Sequence, residues 1–188
     1  MVILLKQLET VRWQFDNVPR SDGRFLKQLI IKTKRKNALE IGSANGYSAI
    51  WIGSGIRANN GRLHTIEIRP PLAKQCRENI RLAGLEAFVN CIEGDAIKKV
   101  EELPGNFDFL FLDLGPVDML PILHAAEAKL TDDAIIMLHN LSFEYSYKRL
   151  LKYAILKRWA IDKHQEDNGK GFFVVAKEHY LIRMLSMD

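Results

Sequence analysis

Residues 38–48 read Ala-Leu-Glu-Ile-Gly-Ser-Ala-Asn-Gly-Tyr-Ser, and this stretch decides the fold class. A short apolar strand over 38–42 runs into a turn with two glycines, and a helical pattern begins at once over 47–56. Glycine has no Cβ, so such a turn can approach a ligand closely, and the N–H groups at the helix start favour a carboxylate or a phosphate. The stretch therefore predicts a ligand site at the carboxyl end of a strand, or else a tight turn whose glycines serve packing.

The rest of the chain repeats this alternation of strand and helix. Further strands are predicted at 62–68, 88–92, 107–112 and 134–138, and further helices at 72–83, 96–103, 117–130 and 143–158. Residues 160–164 and 172–177 flank an Asn-Gly turn signal, so they predict an antiparallel hairpin at one sheet edge. The sequence therefore predicts an α/β fold with a doubly wound, mostly parallel seven-stranded sheet and an antiparallel C-terminal hairpin.

Length and composition favour one domain. The chain has 188 residues, of which 47% are hydrophobic, so a single domain over residues 1–188 is expected. Its N-terminal helical segment, over about residues 1–36, is predicted to break around Asn17, Val18 and Pro19. No run approaches the roughly 18 apolar residues that cross a bilayer, and the apolar N-terminus is too short for a signal peptide. A cytoplasmic protein without a membrane partner is expected, with Cys76 and Cys91 as two buried free thiols.

The spacing in the glycine turn separates two classes of nucleotide-containing ligand. Dehydrogenases that bind dinucleotides favour Gly-x-Gly-x-x-Gly, whereas Ala44 stands where the second glycine would fall, which argues against NAD.

Two acidic residues end the next two predicted strands. Glu67 could accept both ribose hydroxyls of an adenosine-containing ligand, or be a solvated side chain at an exposed strand end. Asp95 could contact such a ligand, cap the helix that follows, or do both.

Together these motifs resemble the class I S-adenosylmethionine-dependent O-methyltransferases, the family that includes catechol and caffeoyl-CoA O-methyltransferases. The pattern Glu-x-Gly-x-x-x-Gly at 40–46 is similar to the family's first motif, and the resemblance covers about residues 15–177. The stretches that carry it are 18–26, 39–42, 46–48, 65–68, 83–85, 94–96 and 107–113. The resemblance implies a Rossmann-like fold, S-adenosylmethionine as cofactor, and methyl transfer to oxygen, ahead of nitrogen, on an unidentified small-molecule acceptor.

The resemblance also implies roles for individual positions at the strand ends. The glycine turn would pass close to the cofactor, with Tyr47 and Ser48 near its methionine carboxylate, while Glu67 would bind the ribose. Asp113 would face the methionine amino group and the reacting centre, which makes it a candidate catalytic residue. The implied cofactor-binding residues are Val18, Gly42, Ser43, Gly46, Tyr47, Ser48, Glu67, Ile68, Asp95, Ala96 and Asp113.

The segments after the fourth and fifth strands depart from the family. Similar members carry Asp-x-x-Lys and Asp-Asn there; the acids and the Asn bind a divalent cation, and the Lys assists deprotonation. Here Pro116 occupies the lysine position and His139 replaces an acid before Asn140, so Mg²⁺ is not expected to be required. Asp113, His139 and Asn140 could hold a softer ion such as Zn²⁺ or Fe²⁺. His139 could instead be a catalytic general base or a structural residue.

Two other functions remain open at this level. Pro116 and His139 are compatible with a protein that binds the cofactor without catalysis and acts by interaction with a partner. A homo-oligomer is compatible with this protein and with an active enzyme. Basic residues could hold an RNA backbone in an RNA-modifying methyltransferase, or form a solvated face. They are Lys32, Lys34, Arg35, Lys36, Lys148, Arg149, Lys152, Lys157 and Arg158, with Tyr145, Tyr147 and Trp159 as candidates for base stacking. The formal charge of +4 is too small to decide between them.

Overall fold

The computed structural model describes residues 1–114, 119–139, 144–165 and 171–177. Strands and helices alternate from residue 37 to residue 165, and each predicted strand is present. The strands are β1 (Asn37–Ile41), β2 (Arg62–Glu67), β3 (Val89–Glu93), β4 (Phe107–Leu112), β5 (Leu130–His139), β6 (Trp159–Gln165) and β7 (Gly171–Lys177). The helices are α1 (Val2–Thr10), α2 (Arg12–Phe15), α3 (Arg20–Lys32), α4 (Tyr47–Ala58), α5 (Pro70–Leu82), α6 (Ala96–Glu102), α7 (Leu120–Glu127) and α8 (Glu144–Leu156).

All seven of these strands form one sheet, in the order β3-β2-β1-β4-β5-β7-β6. Strands β1 to β5 pair in parallel, and β7 is antiparallel to both β5 and β6. The order reverses between β1 and β4, which is where open α/β sheets bind ligands at the carboxyl ends of their strands. The predicted doubly wound, Rossmann-like sheet with an antiparallel C-terminal hairpin is thus confirmed.

Two apolar cores cover the opposite faces of the sheet. In β4, Phe109 and Phe111 enter one core while Leu110 and Leu112 enter the other, and all four side chains are fully buried. A strand buried on both faces needs a nearly continuous apolar sequence, which residues 107–112 provide. Helices α1, α3, α4 and α5 contribute to the first core, and α6, α7 and α8 contribute to the second. The central strands therefore hold the carboxyl edge of the sheet rigidly between two layers of helices.

The N-terminal segment packs over the first core, as expected. The predicted break is present, because Asp16 adopts a left-handed backbone with a φ of 53° and α3 begins only after Pro19. Helix α3 lies close against α4: a Cβ at Gly23 would collide with the indole ring of Trp51. This close packing brings the first turn of α3 to the carboxyl edge of the sheet, where Asp22 contacts the end of β5.

One helix boundary differs from the prediction. The pattern over 117–130 predicts a helix, but α7 ends at Glu127, and Leu130 already pairs with Phe107 in the sheet. Residues 117 and 118 lie outside the described ranges. The apolar Leu130 belongs to the strand because β5 extends along β4 past a register shift between Phe107 and Phe109.

The two cysteines also differ in part from the prediction. Cys76 on α5 is buried as expected, whereas Cys91 on β3 is only half-buried. Both are free thiols, and their Sγ atoms lie 2.9 Å apart. Cys91 is less covered because β3 is the edge strand of the sheet that the described residues form. Within the described ranges, no helix has the length and hydrophobicity to cross a bilayer.

Candidate active site

The carboxyl ends of β1 and β4 meet directly where the strand order reverses. The backbone N–H of Asp113 donates to the carbonyl of Ile41 at 3.1 Å, so the residues that follow the two strands lie side by side. Gly42 has a φ of 94°, and a Cβ there would collide with the carbonyl oxygen of Asp113. Only glycine tolerates both this left-handed backbone and this close approach. The fold itself therefore requires glycine at position 42, whatever ligand binds.

Glu67, at the end of β2, holds the glycine turn. Its Oε2 accepts a hydrogen bond from the N–H of Ala44 at 2.8 Å, and its Oε1 accepts from the N–H of Arg69 at 3.0 Å. Ala44 has a left-handed φ of 43°, which is unfavourable for a residue with a Cβ, so this bond stabilises the turn. The side chain of Glu67 is only 4% exposed, so the alternative of a solvated carboxylate at an exposed strand end is wrong.

A cavity of about 900 Å³ lies along this carboxyl edge. Its size falls within the range of small-molecule and cofactor sites. Nine of the eleven residues that the resemblance implies as cofactor-binding line the cavity. They are Val18, Gly42, Ser43, Ser48, Glu67, Ile68, Asp95, Ala96 and Asp113. The fold thus brings the ends of four strands and the N-terminal segment to a single wall.

Gly46 and Tyr47 stand behind the cavity wall rather than on it. Gly46 has a φ of 87° and packs against α5, where a Cβ would lie 3.0 Å from Sγ of Cys76. Tyr47 is 1% exposed, and its hydroxyl donates to Glu9 of α1 at 2.8 Å. Both residues shape the turn from the core side, so the geometry supports an indirect effect on a ligand rather than side-chain contact.

Asp95 and Ala96 occupy the start of α6 on the cavity wall. Oδ1 of Asp95 accepts a hydrogen bond from the N–H of Lys98 at 3.1 Å, so the N-cap interpretation is confirmed. The carboxylate satisfies one of the N–H groups that a helix start leaves without an intrahelical partner. A role toward a ligand is compatible with this bond, because a carboxylate can accept several hydrogen bonds at once.

Some cavity residues carry no recognisable motif in the sequence. Trp13 of α2 lines the cavity with a side chain that is 81% exposed, and Arg69, Pro70 and Leu72 line it from the start of α5. Arg69 also pairs with Glu67, with 3.1 Å between Nε and Oε1. These residues reach the cavity through the packing of helices rather than through strand ends, so a reading of strand-end motifs misses them.

A second buried carboxylate lies in β1, just before the glycine turn. Glu40 is fully buried, and this burial raises its pKa to about 7, although the hydroxyls of Ser48 and Thr65 act in the opposite direction. Within the described part of the chain, neither carboxylate oxygen has a hydrogen bond of good geometry. Burial therefore outweighs the nearby hydroxyls, and Glu40 favours its neutral form in acidic solution.

A histidine lies between two carboxylates at the end of β5, next to Asp113 of the cavity wall. His139 ends β5; its Nδ1 lies 3.1 Å from Oδ1 of Asp113, and its Nε2 lies 3.1 Å from Oδ2 of Asp22. His139 and Asp22 are both buried. Burial alone would lower the pKa of His139, but the carboxylates of Asp113 and Asp22 raise it to about 9. This arrangement does not favour a general base, since two carboxylates stabilise the protonated ring and His139 is not among the residues that line the cavity.

The residues present do not fit the divalent metal site that the resemblance implies. An imidazole that ligates a metal must present a lone pair to the ion, whereas both ring nitrogens of His139 face carboxylate oxygens. In the ranges that the structure describes, no group of three or more His, Cys, Asp or Glu side chains could hold an ion. Pro116 and Asn140 lie outside those ranges. The donor chemistry of His139 therefore favours an ion pair over metal coordination.

Some of the basic residues considered for RNA are engaged within the chain. Arg35 is buried and pairs with Asp133 at 2.8 Å, and Nζ of Lys157 pairs with Glu127 at 2.7 Å. The ring of Trp159 packs edge-on against a tyrosine of α8, with 5.7 Å between the ring centroids. The side chains of Tyr145 and Tyr147 lie outside the described part of the structure. These contacts give no support to an RNA site.

Comparison with known protein families shows to which family the chain belongs. A family model described as a methyltransferase domain matches residues 39–141, which is more than half of the chain. The chain belongs to this methyltransferase family. The matched range includes the glycine turn, Glu67, Asp95, Asp113 and His139, and the resemblance to class I O-methyltransferases is confirmed.

Two relatives of the chain bear the name catechol O-methyltransferase. The relative from Niastella koreensis is 40% identical over 101 residues, which are 52% of this chain and 45% of that protein. The relative from Mycobacterium tuberculosis is 30% identical over 124 residues, which are 65% of this chain and 56% of that protein. The chain thus spans about half the length of the curated relatives that it matches.

Solved structures share the fold over nearly the whole chain. The O-methyltransferase from Bacillus cereus, in complex with SAH, has a TM-score of 0.83 at 22% identity and covers 93% of this chain and 90% of its own. The O-methyltransferase TomG from Streptomyces achromogenes, in complex with SAM, has a TM-score of 0.81 at 21% identity, with coverages of 93% and 89%. At these identities the likeness establishes the fold alone.

Proposed function

We propose that this protein transfers a methyl group from S-adenosylmethionine to an oxygen of a small-molecule acceptor. The observation that carries the proposal is the convergence of Gly42, Glu67 and Asp95 on one cavity at the carboxyl edge of the sheet. A turn at the start of a helix favours the cofactor's carboxylate, and a buried acid at the end of β2 suits its ribose hydroxyls. The relatives named catechol O-methyltransferase support oxygen as the methylated atom.

Different residues of the cavity wall would contact different parts of the cofactor. Gly42, Ser43 and Ser48 would hold the methionine part, Glu67 would accept the ribose hydroxyls, and Ile68 with Ala96 would flank the adenine. Asp113 would face the methionine amino group. Bound S-adenosylmethionine supplies a methyl group on a positively charged sulfur. The chain then has to align the acceptor with this methyl group and exclude water.

The shape of the site supports a small acceptor over a polymer. Residues 13–18 and residues 68–72 both line the cavity, so two segments of the chain add to the wall that the strand ends form. The engaged Arg35 and Lys157 leave the RNA alternative without a specific observation in its favour. The non-catalytic alternative would bind the cofactor at the same site, so only a measurement of methyl transfer distinguishes it from the proposed enzyme.

Thermal unfolding and calorimetry with S-adenosylhomocysteine (SAH) test the proposal. We expect SAH to bind and to raise the melting temperature, because a ligand selective for the folded state stabilises it. Stabilisation by NADH without stabilisation by SAH would contradict the assignment. Methyl transfer from labelled S-adenosylmethionine to a panel of phenols and catechols is then measured. Binding without transfer to any acceptor would favour the non-catalytic alternative.

A further inference from the structure

The contacts among Asp22, His139 and Asp113 link three elements that are distant in the chain, beside the candidate active site. His139 ends β5, Asp113 follows β4, and Asp22 lies in the first turn of α3. Asp22 and His139 are each 2% exposed, whereas Asp113 lines the cavity. The ring of Phe111 packs beside His139, with 6.3 Å between the ring centroids. Asp113 is thus the only one of the three that lines the cavity, and the other two lie behind it.

The geometry of the ring indicates its charge. A neutral imidazole has one N–H and one lone pair, so it can donate to only one of two carboxylates. Here both ring nitrogens lie 3.1 Å from a carboxylate oxygen, so a neutral ring would place its lone pair against one of them. A second proton turns both contacts into charge-assisted hydrogen bonds. A positive charge on the ring also stabilises the two carboxylates, of which Asp22 is buried and Asp113 is half-buried.

The acidic groups packed around the His139 ring also favour its protonated form. Asp22 reaches His139 from α3, and Asp113 reaches it from the end of β4. Glu40 in β1 is a further acid in the neighbourhood, since its charge and that of Asp113 disfavour each other. An imidazolium partly balances this set of acids. A divalent ion would have to displace the proton from a ring that two carboxylates hold in its charged form.

We propose that His139 is a built-in cation of this site, and that Asp22 is a positioning residue which holds the His139 ring against Asp113. The inference rests on the proposed function, in which Asp113 faces the methionine amino group. The resemblance assigns a divalent ion to the residues at these two strand ends; in this chain the imidazolium balances the acids instead. Asp113 therefore keeps one orientation toward the cavity without a metal ion.

The main experiment compares metal dependence in the wild-type protein and in His139→Asp. This variant removes the internal cation and restores the acid of the family. We expect wild-type SAH affinity, measured by calorimetry, to change less than about two-fold between EDTA and millimolar Mn²⁺. In EDTA, His139→Asp is expected to bind SAH about ten-fold more weakly, and Mn²⁺ is expected to restore most of this loss.

Two further variants distinguish the loss of the His139 cation from a general loss of structure. Asp22→Asn keeps the shape of the side chain but removes its charge, so SAH affinity is expected to fall about three-fold to ten-fold, without rescue by Mn²⁺. His64→Asp is the matched control. His64 is a half-buried histidine of β2 whose ring contacts Asn90, and it does not line the cavity. Its replacement is expected to leave the response to Mn²⁺ unchanged.

Nitrogen-15 NMR of the histidine rings tests the wild-type protein directly, even where a variant does not fold. Both ring nitrogens of His139 are expected to carry protons at neutral pH, and one unprotonated nitrogen would overturn the proposal. A ten-fold loss of wild-type SAH affinity in EDTA would overturn it as well. So would full affinity of His139→Asp in EDTA. A wild-type protein that does not bind SAH at all would contradict the proposed function instead, while the NMR result would still decide the charge.

Discussion

The two halves of the cavity edge keep the methyltransferase pattern to different extents. In the cofactor half, at the ends of β1, β2 and β3, Gly42, Glu67 and Asp95 match the pattern and line the cavity. In the reaction half, at the ends of β4 and β5, Asp113 is retained, but His139 replaces an acid and contacts Asp22. Under the proposed function, this difference means that cofactor recognition and acceptor activation are separable parts of one sheet edge, so that one can change while the other stays.

The largest expected effect comes from Gly42→Ala in the cofactor half. The added Cβ would collide with the backbone carbonyl of Asp113, and the φ of 94° disfavours any side chain. We expect the free energy of unfolding to fall by about 3 kcal/mol or more, as strain and overpacking combine, and SAH binding to be lost. Denaturant unfolding and calorimetry measure the two effects.

Gly84→Ala is the matched control for that change. Gly84 also has a positive φ, of 65°, but a Cβ there would meet no atom within 4 Å. It should therefore lose only the backbone strain, about 1 kcal/mol, and keep full SAH affinity. Equal losses in the two variants would show that strain, rather than the contact between the ends of β1 and β4, dominates at Gly42.

The sequence alone predicts the fold and the cofactor half because their signals are local. Each strand is a short apolar run, and Gly42, Glu67 and Asp95 each lie at or just after the end of one, so chain order and topology place them together. The boundary error at α7 has the opposite cause. Leu130 fits a helical pattern locally, but its pairing with Phe107 in the sheet decides its conformation.

The reaction half could not be predicted because its decisive contact is not local. Asp22 lies far from His139 in the chain, and only the packing of α3 against α4 brings it to the end of β5. No spacing rule connects an acid in the first helical turns with a histidine that ends the fifth strand. The burial of Glu67 was missed for a similar reason, since the N–H of Ala44 that covers it belongs to another strand's turn.

The pH dependence of stability should separate the two halves. The pKa of Glu40 is raised from 4.5 to about 7, and the pKa of His139 is raised from 6.5 to about 9. A raised pKa means that the folded state binds the proton more tightly, so this stabilisation is present at low pH and is lost as the pH rises. We expect the free energy of unfolding to fall between pH 4.5 and about 7 through Glu40, and between pH 6.5 and about 9 through His139.

The free energy of unfolding falls by at most about 3.5 kcal/mol in each pH window, since one pKa unit corresponds to about 1.4 kcal/mol. Denaturant titrations at a series of pH values measure the profile. Glu40→Gln should flatten the acidic window and His139→Gln the alkaline one, because each replaces a titrating group with a neutral amide. A wild-type free energy of unfolding that stays constant up to about pH 9 would contradict a protonated His139 between Asp22 and Asp113.

Glu67→Ala tests the cofactor half with a smaller effect. SAH affinity should fall by about 1.5–3 kcal/mol, the range for hydrogen bonds to a charged group. Stability should fall by about 1 kcal/mol as well, because the N–H of Ala44 loses its acceptor. Glu93→Ala is the control: Glu93 lies opposite Glu67 in β3 but pairs with Arg77 at the surface. Unchanged SAH affinity in Glu67→Ala would place the ribose elsewhere.

The smallest expected effect separates two roles of Asp95. Asp95→Ala should lose about 1 kcal/mol of stability, because the N–H of Lys98 loses the cap of α6. Asp95→Asn keeps a side-chain oxygen for the cap, so its stability should stay within about 0.3 kcal/mol of the wild type. If the carboxylate also contacts the cofactor, SAH affinity in Asp95→Asn should still fall about three-fold. Glu101→Ala, which removes an exposed acid from the same helix, should change neither quantity. An Asp95→Asn variant with full stability and full affinity would show that Asp95 is a helix cap alone, which would leave Glu67 as the acidic contact of the cofactor half.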